Sequence, residues 1–177
     1  RIDPTSASNA VVSVDWVRLL PSNAYAANQP PVLPVQPAFS NVTLIAGQTL
    51  TFTNAATDLD VPAQVLTYSL VNPPAGATID AGTGVFSWRP TISQSPLVQS
   101  IAVVVIDNGT PSLSTTQTVW VTVNRPVQPV ISSLASHNGS VNLTVMGDGG
   151  PDYLMQASTN LTSWVPIWIT NPPAPPF

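Results

Sequence analysis

Residues 81–88 read Ala-Gly-Thr-Gly-Val-Phe-Ser-Trp, a tight turn that leads into a short strand. Upstream, residues 48–53 alternate between polar and apolar side chains, which places Leu50 and Phe52 on one inward face. Residues 65–71 alternate in the same way around Tyr68. A period of two is typical of a strand with one buried face. These stretches therefore predict a β-sheet that packs its apolar side into a core.

The rest of the chain continues this rhythm of short strands separated by turn residues, which is typical of β-sandwiches. In the middle of the chain we predict strands at residues 41–45, 48–53, 65–71, 85–88, 100–106 and 115–123. A second series is predicted at residues 130–134, 140–146, 153–158 and 164–170. One further strand is predicted at residues 9–20, with Val12, Val14 and Trp16 on one face.

The composition favours an all-β chain. Of the 177 residues only 7% are charged, and the chain contains neither Glu nor Lys. These two residue types are good helix formers that pair along exposed helix faces. Val, Thr, Ser, Asn and Pro take their place, and they favour strands and turns.

Charge and the length of apolar runs exclude several classes of function. The net charge is −4 and the four arginines are scattered, so no basic patch is available to bind nucleic acid. No stretch approaches the roughly 18 apolar residues of a membrane-spanning helix. Without cysteine there is no disulfide scaffold and no thiol chemistry. Residues 1–4 lack the apolar core of a signal peptide, so if the protein is secreted we expect its signal to lie upstream.

Two proline-containing stretches divide the chain into modules. We assign residues 1–20 to the tail of a preceding domain or to a donor strand, 21–37 to a Pro-rich linker and 38–124 to the main β-sandwich. Residues 125–129 are a second linker, and residues 130–177 form an incomplete β-module.

The middle of the chain, about residues 28–124, resembles the cadherin-like domains of dystroglycan type that are common in large secreted bacterial proteins. The resemblance rests on the order and spacing of six segments, at residues 46–52, 56–60, 66–70, 73–77, 82–90 and 107–111. It implies an Ig-like, Greek-key β-sandwich that acts as a spacer or an adhesion module.

Both flanks resemble other β-modules. Residues 1–4 and 14–18 are similar to the last strand of a jelly-roll, carbohydrate-binding-like domain, and residues 153–164 are similar to a fibronectin-III-like module. In the latter family more strands follow a Pro-rich segment that corresponds to residues 171–177. We therefore expect the sequence to begin late in one domain and to end early in another.

The cadherin-like resemblance also implies a calcium site. Ca²⁺ binds about six to eight oxygen atoms, and Asp58 and Asp60 present two carboxylates two residues apart. In cadherin-like domains this pair is joined by an aspartate from a turn and an asparagine from the preceding linker, and the matching positions are Asp107 and Asn28. The glutamates that a preceding cadherin repeat supplies have no counterpart. The alternative is that Asp58 and Asp107 only cap turns by accepting backbone N–H bonds.

The chain offers little for catalysis, and we expect it not to be an enzyme. Its one histidine, His137, lies in a predicted His-Asn-Gly turn, without a motif that places a nucleophile and an orienting carboxylate beside it. Glycoside cleavage needs two carboxylates across a cleft. The few aspartates lie mostly in predicted turns, including Asp148 and Asp152.

Carbohydrate binding is a lesser alternative that depends on exposed aromatic residues. Trp88 and Trp120 lie in predicted core strands, where we expect them to be buried. Trp16, Trp164 and Trp168 are less constrained.

Two functional classes remain. The first is a non-catalytic, extracellular module of a surface protein with a structural or adhesive role. The second is a subunit that assembles with copies of itself, because an incomplete β-module exposes an unpaired edge and a lone strand is not ordered in water. Each copy could complete the next by β-strand addition. Such a head-to-tail contact does not close, so it would build a filament.

Overall fold

The structure of the chain, a computed structural model, describes residues 27–34 and 41–172. Within these ranges it contains strands, one 3₁₀ helix at Ile92–Gln94 and no α-helix. The strand predicted at residues 9–20 lies outside the described residues. The strands are β1 (Asn41–Ile45), β2 (Leu50–Thr53), β3 (Thr67–Val71), β4 (Thr78–Ile79), β5 (Val85–Trp88), β6 (Leu97–Ile106), β7 (Ser114–Asn124), β8 (Val130–His137), β9 (Ser140–Met146), β10 (Tyr153–Ala157) and β11 (Val165–Thr170).

The first seven strands form a sandwich of two sheets. One sheet has the strand order β1-β7-β6-β3, and the other has the order β2-β5-β4. β1 runs parallel to β7, with Asn41 beside Trp120, while the other neighbouring strands of the sandwich are antiparallel. The predicted all-β sandwich is therefore confirmed.

The core of the sandwich is made by the inward faces of these strands. Phe86 and Trp88 of β5 are fully buried, and the ring of Phe86 stacks on the ring of Phe52 of β2 with 4.6 Å between centroids. Nε1 of Trp88 donates to the carbonyl oxygen of Ala75 at 3.2 Å, so burial leaves its polar atom satisfied. The facing sheet contributes alternate residues of β6 and β7, which are Ile101, Val103, Val105, Val119, Val121 and Val123.

The position of Trp120 corrects the sequence analysis. We expected a buried side chain, but 51% of its surface is exposed. Side chains of a strand alternate between its two faces, and on β7 the valines at 119, 121 and 123 occupy the inward positions. Trp120 therefore points outward. The two-residue strand β4 is a second feature that the sequence does not predict.

Residues 27–34 pack along the sandwich, although we assign them to a linker from the sequence. Leu33 is buried in a core cluster that includes Tyr68. Val32 and Thr57 exchange two backbone hydrogen bonds, with N···O distances of 2.8 and 2.9 Å. These contacts fix the path by which the N-terminal segment reaches one end of the sandwich.

The last four strands form two separate hairpins. β8 pairs with β9 and β10 pairs with β11, and within the described residues no ladder joins the hairpins to each other. Many of their large apolar side chains are exposed, including Ile131, Leu134, Ile167 and Ile169. Isolated hairpins are marginally stable in water without a further strand or a packing partner. The assignment of residues 130–177 to an incomplete β-module stays a prediction.

We expect the two tryptophans of the sandwich to respond very differently to truncation. Trp88→Ala removes a fully buried indole and should lower the free energy of unfolding by about 3–5 kcal/mol. Trp120→Ala is the matched control and should cost about 1 kcal/mol or less, because the side chain is half exposed. Urea unfolding followed by circular dichroism measures both values, and equal losses would contradict the faces assigned to β5 and β7.

Candidate cation site

The four residues predicted as metal ligands lie together at one end of the sandwich. Asn28 belongs to the N-terminal segment, Asp58 and Asp60 belong to the loop between β2 and β3, and Asp107 directly follows β6. A hydrogen bond joins Asn28 to Asp107 across 79 positions of sequence. The fold thus brings three distant segments to one place.

Asp107 is the most buried of these side chains, with 4% of its surface exposed. Its Oδ1 accepts the N–H groups of Gly109 at 3.0 Å and Leu113 at 2.9 Å, and its Oδ2 accepts Nδ2 of Asn28 at 3.0 Å. Burial on its own would raise the pKa of the Asp107 carboxyl, but these hydrogen bonds outweigh burial and hold the pKa below its usual value. The group is therefore a carboxylate at neutral pH.

Asn28 is held by two acceptors and by close packing. Besides its bond to Asp107, Nδ2 donates to the carbonyl oxygen of Pro111 at 2.9 Å. Gly109 lies so close to the carboxamide that a β-carbon at this position would overlap it. Glycine at position 109 therefore makes room for the Asn28 side chain.

Gln64, which the sequence analysis does not single out, connects two of the predicted residues. Its Nε2 donates to Oδ2 of Asp60 at 3.1 Å and also to Oδ1 of Asn28. Oδ2 of Asp60 accepts the N–H of Gln29 at 2.7 Å as well. No motif in the sequence marks Gln64. Only its position four residues after Asp60 could have suggested it.

Two oxygen atoms in this cluster are buried and have no hydrogen-bond partner among the described residues. They are Oδ2 of Asp58 and Oε1 of Gln64. The other carboxylate oxygen of Asp58, Oδ1, accepts the N–H of Asp60 at 2.9 Å. A buried polar atom without a partner costs free energy. A cation or a water molecule bound to either oxygen would remove that cost.

The ligand chemistry of the cluster suits a hard cation. Its available atoms are carboxylate and carboxamide oxygens, which Ca²⁺ prefers. No three His, Cys, Asp or Glu side chains within residues 27–34 and 41–172 are placed to hold a metal ion together. Oxygens of Asn28 and Gln64 would therefore have to complete the set. The turn-capping bonds expected from the alternative hypothesis are also present, at Asp58 and Asp107.

The other candidate residues lie away from this cluster. His137 is exposed at the end of β8, and Ser132, five positions earlier on the same strand, donates its hydroxyl to the carbonyl oxygen of Thr144. Trp164 and Trp168 are about half exposed, so carbohydrate binding through them stays a prediction. Trp16 lies outside the described residues. None of the helical structure in the described residues has the length and apolar character needed to cross a bilayer.

The family of the chain follows from its sequence over the sandwich. Residues 30–124, more than half of the chain, match the family model described as Putative Ig domain (He_PIG). The chain belongs to this Ig family. The predicted Ig-like domain is therefore confirmed, and the match extends into the stretch that we assign to the linker. Ig-like modules are common on cell surfaces and are typically not enzymes.

The chain is also similar to parts of several solved structures. Human CDH23 EC21–23 is 17% identical with a TM-score of 0.44, and the match covers 74% of this chain and 49% of that one. Human protocadherin-24 EC1–2 (form II) is 18% identical with a TM-score of 0.44, covering 77% and 70%. A nucleoside hydrolase-related hypothetical protein from Saccharophagus degradans, described as associated with carbohydrate metabolism, is 20% identical with a TM-score of 0.46, covering 56% and 26%.

The chain spans about a quarter of the Saccharophagus protein and about half of the CDH23 fragment. No curated protein matches the chain. Likenesses this distant carry no statement about function.

The lowered pKa of Asp107 makes a prediction about acid stability. Because the folded pKa lies below the unfolded one, the carboxylate contributes stability above an unfolded pKa of about 3.9, and this contribution is lost as pH falls through the folded pKa. Asp107→Asn should lower the melting temperature at pH 7. The melting temperature of the variant should also fall less between about pH 5 and 3 than that of the parent protein, because the variant has no carboxylate to protonate at this position.

Thermal unfolding of both proteins from pH 7 to pH 3 checks this. The carboxyl groups of Asp80 and Asp152, whose pKa values are also lowered, are present in both proteins, so the difference between the two profiles reports on Asp107. Parallel profiles would contradict the prediction.

Proposed function

We propose that the chain is a structural or adhesive segment of an extracellular surface protein, and that Ca²⁺ completes the N-terminal end of its Ig sandwich. The observation that supports this best is the meeting of Asn28, Asp58, Asp60 and Asp107 at one end, with buried oxygens that have no partner among the described residues. Loops at the ends of a sandwich are where such modules make contacts with other molecules and domains.

In this proposal the cation is held by carboxylate oxygens of Asp58 and Asp60 and by the carboxamide oxygens of Asn28 and Gln64, while Asp107 positions the Asn28 side chain beside the site. Oδ2 of Asp58 can bind it without giving up a hydrogen bond. Oε1 of Gln64 also lacks a hydrogen-bond partner among the described residues, so it can bind the cation while Nε2 keeps its bonds to Asp60 and Asn28. Oδ1 of Asn28, which accepts Nε2 of Gln64, completes the set of side-chain oxygens.

A cation at this position would fasten the incoming chain to the sandwich. Asn28 lies before the first strand, whereas the aspartates belong to loops of the folded module. Ca²⁺ would therefore stiffen the entry of the chain and fix the direction from which a preceding module arrives. That is what a spacer or an adhesion module requires.

We expect Ca²⁺ to raise the melting temperature relative to a chelator. At a free concentration one hundred times the dissociation constant, the gain in stability is about 2.7 kcal/mol. Asp58→Asn should abolish the gain, because it keeps Oδ1 as the turn cap and replaces the unpartnered oxygen by an amide. Differential scanning calorimetry in Ca²⁺ and in EDTA measures the gain.

Asp80→Asn is the matched control for this experiment. Asp80 also caps a turn, where its Oδ1 accepts the N–H groups of Gly82 and Thr83, but it lies outside the cluster. This variant should retain the full gain from Ca²⁺. A melting temperature that does not respond to Ca²⁺ in the parent protein would overturn the calcium proposal.

A second candidate function, self-assembly by β-strand addition, is favoured by the cleft between the two terminal hairpins. A cavity of about 230 Å³ lies there, and Ile131, Val145, Met155 and Trp168 are among the residues that line it. Residues 9–20 have the alternating apolar face that such a cleft accepts. Insertion of this strand from a neighbouring copy would cover exposed apolar surface, and repetition of the contact would give a filament.

Light scattering distinguishes this candidate from a monomeric spacer. If neighbours exchange strands, the purified chain should form polymers, and deletion of residues 1–20 should leave monomers. Val14→Asp places a charge on the inserted face and should also prevent assembly, whereas Ser13→Asp lies on the opposite face and should not. Monomers before and after the deletion would contradict strand exchange.

A further inference from the structure

The second end of the Ig sandwich is joined to the following hairpins by a network centred on Arg89. This residue directly follows β5 and reaches the turn between β9 and β10. Its Nη1 and Nη2 donate to Oδ2 and Oδ1 of Asp152 at 3.1 and 2.9 Å, which is a bidentate ion pair. Nη2 also donates to the carbonyl oxygen of Gly150 at 3.0 Å, and Nε donates to that of Gly47 at 2.6 Å.

The oxygens around the guanidinium come from both modules. Gly47 lies in the turn between β1 and β2 of the sandwich, while Gly150 and Asp152 belong to the second module. Nδ2 of Asn171 binds the same two acceptors of the second module, Oδ1 of Asp152 at 2.7 Å and the carbonyl oxygen of Gly150 at 2.9 Å. The acceptors of Arg89 in the second module are thus held in place by Asn171.

Backbone packing reinforces these bonds. Gly47 has a φ of +95°, and a β-carbon on it would lie 2.6 Å from Cα of Pro151, which is fully buried. Gly150 has a φ of +105° and packs against Gln48. Nε2 of Gln48 donates to the carbonyl oxygen of Gly149 at 3.0 Å. Side chains at the two glycines would force the turns apart, so the close contact depends on both.

We propose that the Ig sandwich and the β8–β11 module are held at a fixed angle to each other. The positively charged Arg89 guanidinium binds oxygens of both modules, as a metal ion between two modules would. Arg89 and Asp152 are partly exposed, at 40% and 58%, and a single exposed ion pair contributes little to stability. The joint depends instead on the fork of parallel N–H groups of the planar Arg89 guanidinium, which binds the Asp152 carboxylate in one orientation. It also depends on the close backbone contacts of Gly47 and Gly150 that this orientation permits. It needs neither Ca²⁺ nor polymerisation, so it is independent of the proposed function.

The linker between the two modules is a second source of rigidity, and the experiment must distinguish it from the Arg89 network. The connection at residues 125–129 is short and contains two prolines, which stiffen a linker. If the linker alone sets the angle between the modules, removal of Arg89 leaves the angle unchanged. If the fork sets it, the modules move relative to each other once Arg89 is lost, as is usual for domains that share a small polar interface.

Pulsed electron spin resonance distances between the modules test the joint. The chain has no cysteine, so nitroxide labels can be placed at Ala81→Cys in the sandwich and Ser136→Cys in β8, which are both exposed. All samples contain EDTA, and circular dichroism confirms that each variant is folded. The parent protein should give one narrow distance distribution, and Arg89→Ala and Asp152→Ala should each make it at least roughly twofold broader.

Arg89→Lys and Arg125→Ala complete the design. Arg89→Lys keeps the charge but loses the fork, so its distribution should also broaden. Arg125→Ala removes the same charge from the linker, where the side chain bonds to Ser95 of the sandwich, and its distribution should stay narrow. The proposal is overturned if the parent distribution is already broad, if Arg89→Ala leaves it narrow, or if Arg125→Ala broadens it as much as Arg89→Ala.

Discussion

The buried carboxylate of Asp107 is the constraint on which the N-terminal end of the sandwich depends. A charge with this little exposure must be compensated by donors. Its donors are the N–H groups of Gly109 and Leu113 and the side-chain amide of Asn28. Because they come from the following turn, from the approach to β7 and from the N-terminal segment, one carboxylate orders all three. The proposed Ca²⁺ site is an addition to this arrangement.

Charged side chains are so rare in this chain that their positions are informative. Within the described residues, Asp58, Asp60 and Asp107 lie at one end of the sandwich, while Arg89 and Asp152 lie at the other. The strands between them are built from apolar, hydroxyl and amide side chains. The ion pair of Arg89 and Asp152 lies where the sandwich meets the β8–β11 module, at the joint that we propose.

Much of the fold could be predicted because the strand period of two is visible in the sequence, and the cadherin-like resemblance suggested the residues around Asp107. The outward position of Trp120 was also encoded, since Val119, Val121 and Val123 already fill the inward face of β7. The expectation that tryptophan is buried overrode that pattern. The contact between Arg89 and Asp152 carried no such signal, because the two residues are 63 positions apart in different modules.

The most direct test of this account is a Ca²⁺ titration followed by amide signals in nuclear magnetic resonance. Several N–H groups of the cluster donate to its carboxylates, among them those of Gln29, Asp60, Gly109 and Leu113. The account predicts that these signals shift together and saturate, while signals of the β8–β11 module stay in place. Signals that do not move, or shifts concentrated elsewhere in the chain, would contradict it.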